Sequence, residues 1–166
     1  MSGNLTGQSE SLDYFLSVAD FDTDGFNNRV SDVSADEDGY ENQTFHGRFG
    51  YVLSEAWRFD LVHREVDGSN DYDGCFGPSG PSGDCRSDYG MQASRLGLQF
   101  LGEGFSHQLS YIRSSTDRQD FTASAPTFGS QGEQIRGEYI GSLTALEGVD
   151  LIWGLDYQED VANGVG

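Results

Sequence analysis

The chain has 166 residues, of which 28 are acidic and nine basic, giving a formal net charge of −19, with 23 glycines, 11 phenylalanines and 8 tyrosines. All the basic residues are arginine, and so acidic a surface repels nucleic-acid phosphates and anionic headgroups while attracting cations. The aromatic content argues against disorder outside the loops, and no stretch approaches the roughly 18 continuous apolar residues of a membrane-spanning helix.

Along the chain the dominant signal is alternation with period two, the mark of strands with unlike faces. Met1-Ser2-Gly3-Asn4 opens directly into polar residues without an export signal, and Ser2–Gln8 is a candidate strand. In the next strand Leu12, Tyr14, Leu16 and Val18 share one face, against Asp13, Ser17 and Ala19. Phe45, Gly47, Phe49 and Tyr51 then oppose Thr44, His46, Arg48 and Gly50, and Trp57, Phe59 and Leu61 oppose Arg58, Asp60 and Val62. Leu96, Leu98 and Phe100 oppose Arg95, Gly97 and Gln99; Phe105, Leu109 and Tyr111 oppose Ser106, Gln108 and Ser110. Ile135, Tyr139 and Leu143 oppose Arg136, Glu138 and Ser142, and the last strand sets Val149, Leu151, Trp153, Leu155 and Tyr157 against Asp150, Gly154, Asp156 and Gln158. The fold class is therefore all-β, an antiparallel up-and-down meander of seven or eight transmembrane-type strands in one domain over 1–166.

Connections alternate in length. Short turns are expected at 9–11, 53–56, 102–104 and 145–148, and long polar loops at about 24–41, 67–88 and 115–131. Tight turns at one edge and long loops at the other describe an outer-membrane barrel. Arg48, Arg58, Arg95, Arg136 and Glu138 would line the core of a soluble sandwich, where each buried charge costs several kcal/mol; facing a wet lumen or a plug they cost little. Aromatic residues near strand ends (Tyr51, Trp57, Phe105, Trp153, Tyr157) suit interfacial girdles. Lipid tolerates no open sheet edge, so the strands form either an arc of a larger outer-membrane barrel or a complete eight-stranded one; a soluble β-rich binding module is the third possibility. Cys75 and Cys85, together in one Gly/Pro/Ser-rich loop with no CxxC and no nearby His, fit a loop-closing disulfide better than a metal or redox site.

Several segments carry a family resemblance: Leu12-Asp13-Tyr14, Asp22-Thr23-Asp24-Gly25-Phe26, Asp36-Glu37-Asp38-Gly39-Tyr40, and Asn42-Gln43-Thr44-Phe45-His46-Gly47-Arg48-Phe49-Gly50 leading through Ala56-Trp57-Arg58 to Asn70-Asp71-Tyr72-Asp73-Gly74. Their order and spacing, from about 12 to 160, resemble the barrel of TonB-dependent outer-membrane receptors, with the cobalamin receptors as the nearest branch. The resemblance implies a barrel of about 22 strands in the bacterial outer membrane, with a plug inside it and import of cobalamin or a siderophore-like iron chelate energised through TonB. The partners implied are outer-membrane lipid, the plug and the remaining strands, TonB through the plug, and the small-molecule substrate. The present strands cover only a fraction of such a barrel and include no plug.

Half of the acidic residues fall in the first two loops, eight in 20–41 and six in 65–88. Asp20-Phe21-Asp22-Thr23-Asp24-Gly25 imitates the opening of an EF-hand, but the twelfth position is Ser31 and no helix flanks it. The resemblance implies calcium among the outer loops, and the matching positions are Asp36, Asp38, Asp73 and Asp84, with Asn27 where a further aspartate would align. His46, His63 and His107 lie on separate strands without a nearby nucleophile. With no nucleophile elbow, His-based metal spacing or phosphate loop, the chain does not read as an enzyme.

Overall fold

The structure, a computed structural model, describes residues 1–27, 37–77, 80–146 and 149–165. The period-two segments all fold as strand: β1 (Ser2–Gln8), β2 (Leu12–Phe26), β3 (Asp38–Val52), β4 (Trp57–Tyr72), the short β5 (Cys75–Gly77) and β6 (Gly80–Ser82), β7 (Cys85–Gly102), β8 (Phe105–Thr122), β9 (Ala125–Leu146) and β10 (Val149–Val165). Eight of them make one sheet in the order β1-β2-β3-β4-β7-β8-β9-β10, while β5 and β6 form a separate hairpin. Every pairing is antiparallel. The all-β meander expected from the sequence is the observed fold, and Ser2–Gln8 is its first strand.

Two expectations need correction. The long loops are much shorter than 24–41, 67–88 and 115–131 suggest, because β2, β3, β4, β7, β8 and β9 continue far into them. The third disappears altogether: β8 and β9 are joined at Ala123 and Ser124, both with positive φ (49° and 64°), between the paired residues Thr122 and Ala125. The physical reason is that alternation betrays a strand only where one face is apolar. Beyond the apolar part of the wall both faces are polar, so pairing continues without a hydrophobic signature. Nor is the sheet a closed eight-stranded barrel, since β1 pairs only with β2 and β10 only with β9 among the described residues.

The sheet is a single layer. Val66 and Cys85 are the only buried hydrophobic residues among those described, and no side chain is fully buried. A sandwich buries one face of each sheet against the other; among the described residues the only other sheet is the two-stranded β5–β6 hairpin, which is too small to cover either face of the eight-stranded one.

The β8–β9 turn gives a test of the fold. Two central residues at positive φ define a hairpin turn that favours Asn-Gly, and an L-residue with a Cβ costs about 1–2 kcal/mol in that region. Replacing Ala123→Asn with Ser124→Gly should therefore raise stability by about 1 kcal/mol, read as a higher urea midpoint for the chain refolded in micelles. An unchanged or lower midpoint would mean that the hairpin closes elsewhere.

Candidate functional site

Register assigns every strand residue to a face, since directly opposed residues project to the same side. One row across the sheet is Leu12, Tyr51, Phe59, Leu98, Leu109, Tyr139 and Leu155. Another, two residues nearer the loop end, is Tyr14, Phe49, Leu61, Leu96, Tyr111, Gly137 and Tyr157. These rows form an apolar band exposed on one face, with Leu155 at 71% and Tyr157 at 63% exposure. At about 3.3 Å per residue the band is about 20 Å tall along the strands, against about 25 Å for the lipid-facing belt of outer-membrane barrels.

The band crosses the sheet obliquely. On β2 and β3 it runs from Leu12 and Tyr51 up to Val18 and Phe45, which are paired with each other. On β8 and β10 both of its edges lie two rows lower, from Phe105 and Leu151 up to Tyr111 and Tyr157. A shift of four residues, about 13 Å, over six strand spacings, about 29 Å, tilts the strands roughly 25° from the normal of the band. Two parallel edges slanting across tilted strands are what a flat covering layer requires.

At the turn end the band finishes in an aromatic string. Trp57 opposes Phe100 with ring centroids 4.7 Å apart, Phe100 lies 5.4 Å from Phe105, and Phe105 lies 5.5 Å from His107. His107 stacks on Tyr139 at 5.8 Å, its Nδ1 2.7 Å from the Tyr139 hydroxyl, and meets Trp153 edge-on at 6.4 Å. Such amphipathic rings favour the boundary between hydrocarbon and water. His107 is thus a wall residue; His63 likewise bonds the Ser94 hydroxyl at 2.8 Å, and His46 lies 5.7 Å from the Phe15 ring.

The other face carries the charges. Arg58 donates to Asp13 at 2.7 Å and to Asp60 at 3.0 Å, Arg48 lies 4.0 Å from Asp13, and Arg95 donates to the Ser110 hydroxyl at 2.9 Å. Arg136 donates to Asp156 at 2.5 Å and to Glu138 at 2.8 Å. These groups are partly or fully exposed, so solvent screens the pairs and they add little stability. Among the described residues, the non-glycine ones that are buried, Val66, Cys85, Ser87, Ser110 and Thr122, all project from this charged face.

At the loop end the charged face holds a polar-aromatic cluster that the alternation pattern did not reveal. The Tyr40 and Tyr89 hydroxyls are 2.9 Å apart, Asn42 Nδ2 donates to Tyr89 at 3.1 Å, and the Phe21 ring lies 5.9 Å from Tyr40. Gly68 makes room for it, since a Cβ there would sit 2.5 Å from the Tyr89 hydroxyl. The only sequence hint was Tyr40-x-Asn42-x-Thr44 running in phase with His46 and Arg48.

The rim of the wall is stapled. Cys75 and Cys85 are disulfide-bonded with Cα atoms 6.0 Å apart, closing the β5–β6 hairpin. Thr122 donates to Cys75 Sγ at 3.2 Å and Ala123 N–H donates to the Asp84 carbonyl at 2.9 Å, so the hairpin leans on the β8–β9 turn. Asn27, Asp38, Asp73 and Asp84 stand at or next to the loop ends of β2, β3, β4 and β7 respectively. Asp36 lies outside the described residues. Among the described residues no three His, Cys, Asp or Glu side chains come close enough together to hold a metal ion.

Fold and faces together define an open, single-layer antiparallel wall, apolar outside over one band and charged inside. No protein-family model matches the sequence, and no curated protein matches it. Among solved structures it is similar to the crystal structure of the ferric yersiniabactin uptake receptor FyuA from Yersinia pestis, with 12% identity and a TM-score of 0.45, over 98% of this chain and 40% of that one. The chain thus spans less than half the length of that receptor.

Near the rim, burial by itself would push the Asp120 carboxyl up, but hydrogen bonds from Arg118 and Ser87 outweigh it and hold the group below the usual carboxylate range; Arg118 Nε lies 2.8 Å from it. A carboxyl depressed in the folded state stabilises fully above its unfolded pKa of about 3.9 and loses that contribution as pH falls through the folded value. Amide exchange at the β7–β8–β9 loop ends should therefore accelerate as pH drops below about 4, beyond the intrinsic trend. Asp120→Asn should abolish that acceleration, and its persistence in the variant would assign the effect to another group.

Proposed function

We propose that the chain is part of the wall of a bacterial outer-membrane β-barrel, of the TonB-dependent receptor type, serving import of a small metal chelate, cobalamin or an iron–siderophore complex. The observation that supports this most is the slanted apolar band. Its single layer needs covering by something flat, and hydrocarbon about 20–25 Å thick meets that need. The paired charges of the opposite face then look into a wet lumen or onto a plug. The strands rise well past the band, from Tyr111 to Thr122 on β8, about 35 Å of further strand; receptors use such a collar to gather ligand outside the membrane. The order and spacing of the segments that resemble TonB-dependent receptors supply the receptor class, and the ferric chelate named for FyuA is one member of the substrate class proposed.

In this reading the Tyr40–Tyr89–Asn42 cluster lies on the lumen side near the mouth, where rings and amides contact a passing chelate. Calcium belongs to the reading through Asn27, Asp38, Asp73 and Asp84 at consecutive strand ends, with Asp36 two positions before Asp38 in the sequence. Catalysis is no part of this reading: Arg58 and Arg136 hold carboxylates in ion pairs and supply no nucleophile with its base.

Trp57 and Trp153, the only tryptophans, report on the covering layer. In bilayers of brominated phosphatidylcholine both should be quenched, more strongly by bromines near the headgroup end of the acyl chains than by bromines at the bilayer centre. A detergent-free soluble monomer whose tryptophans respond to aqueous iodide would sink the proposal. For the receptor arm, Tyr89→Ala should weaken chelate binding by the intact receptor about tenfold, roughly 1.4 kcal/mol, measured by intrinsic-fluorescence titration.

A further inference from the structure

Beyond the band, the outward face holds a polar cleft of about 640 Å³ across β4, β7, β8, β9 and β10. We infer that this cleft binds a neutral or amine-bearing saccharide. Its walls are the side chains of Asp67, Asp88, Asp117, Gln119, Gln131 and Asn163, which share the outward face by register. Its floor is backbone at Gly90 and Gly129. A Cβ at Gly90 would meet the Asp117 carboxylate at 2.8 Å, and one at Gly129 would meet Gln119 Oε1 at 3.0 Å. Glycine inside a long strand weakens it and marks places where something approaches the backbone closely; here the two flank β8, on β7 and β9, and the Asp117 and Gln119 side chains of β8 reach over them.

The chemistry of the lining narrows the ligand. Gln119 Nε2 donates to the Asp120 and Phe128 carbonyls at 3.0 and 2.9 Å, which anchors the amide and leaves its Oε1 on the cleft side. Carboxylates that only accept, next to amides that accept and donate, match the paired hydroxyls of a sugar ring. Anionic ligands are repelled, because three carboxylates face the cleft and its neighbouring cations are already engaged, Arg118 with Asp120 at 2.8 Å and Arg86 with Asp88 at 2.6 Å. Among the described residues no metal-holding cluster exists, and an apolar ligand finds no apolar wall. A second depression of about 330 Å³ shares Asp67, Gly68 and Asp88 with the first and carries the trough on toward β2. An elongated trough fits a chain of rings better than a single one. Tyr89, the aromatic residue of the lining, turns its hydroxyl to Tyr40 and Asn42 on the opposite face, so no ring serves as a platform, and binding is weak and relies on multiple contacts.

Asp67 lies six residues beyond Leu61, the last band residue of β4, about 18 Å above the band and past the headgroup zone of a leaflet, which is about 5–8 Å deep. Sugars are the part of an outer-leaflet glycolipid that reaches this height, and free oligosaccharides reach it from solution. The cleft exists whatever covers the band; only the glycolipid source rests on the membrane reading.

The test uses the full chain in bilayer nanodiscs and in micelles, with maltotriose, chitotriose and glucose 6-phosphate followed by saturation-transfer NMR, and a neutral glycolipid incorporated into the nanodiscs. At least one neutral oligosaccharide, free or lipid-linked, is expected to saturate, while glucose 6-phosphate does not. Binding only to the lipid-linked form assigns the glycolipid as source, and binding to the free form assigns a soluble one. Gly90→Val, which fills the floor, and Gln131→Ala, which leaves the backbone unchanged, should each weaken binding at least tenfold, while Ser114→Ala on the opposite face should not. The inference is overturned if no neutral saccharide saturates, or if Gln131→Ala and a still-folded Gly90→Val bind like the parent. Tryptophan quenching in the same nanodiscs separates the two ideas, since it reports the band and is indifferent to the cleft.

Discussion

Everything in this molecule follows from an apolar surface that no protein covers. Tyr14, Phe49, Leu61, Leu96, Tyr111 and Tyr157 project from one side of a sheet one layer thick. In water a patch of that extent drives association. On the proposed membrane reading hydrocarbon would cover it, and every N–H and C=O at that depth would need a partner strand, because no water would be present to substitute. Long antiparallel strands joined by tight turns satisfy that condition with the fewest interruptions, which is why turns such as Glu103-Gly104, with Gly104 at a φ of 78°, crowd the turn end of the band.

The opposite face obeys the complementary rule. Arg58 lies between Asp13 and Asp60, and Arg136 between Asp156 and Glu138, so each of these arginines is held by two carboxylates in a chain that is strongly acidic overall. Were this face packed dry, each pair would face a desolvation penalty that its Coulomb attraction barely repays. Partial exposure removes that penalty and leaves pairs that order side chains without contributing much stability. The faces therefore differ in kind: one is an apolar band, the other a field of partly exposed ion pairs.

How far the sequence discloses this depends on where along a strand one looks. Leu12 to Val18 and Leu151 to Tyr157 announce themselves because apolar and polar residues alternate across an interface between two media. Cys85-Arg86-Ser87-Asp88-Tyr89 and Asp117-Arg118-Gln119-Asp120 are equally good strand, yet with water on both sides nothing penalises a polar residue on either face and the alternation vanishes. The Ala123-Ser124 turn is invisible for a different reason: it adopts positive φ without the Gly or Asn that usually signals it. The Tyr40–Tyr89 cluster joins residues 49 apart, and only the register of β3, β4 and β7 brings them together. The rim positions Asn27, Asp38, Asp73 and Asp84 follow from resemblance alone; they stand at the loop ends of neighbouring strands, with no metal-holding cluster among the described residues.

The edge of the sheet carries the same logic one step outward. β10 pairs only with β9, and its free edge runs through the band at Leu151, Trp153, Leu155 and Tyr157 without any tapering of the apolar rows. A soluble protein protects such an edge with charge, proline or a bulge. Along the band stretch of β10 the outward positions are all apolar, and the single register shift falls at Val149/Asp150, outside it. An edge left long, flat and apolar is suited to receiving another strand, antiparallel to β10 and apolar in the same rows. The direction of β1, which runs toward the turn end while β10 runs toward the loop end, permits an antiparallel continuation from each side. Among the described residues the wall thus ends in two unpaired edges, β1 and β10, each able to accept an antiparallel neighbour.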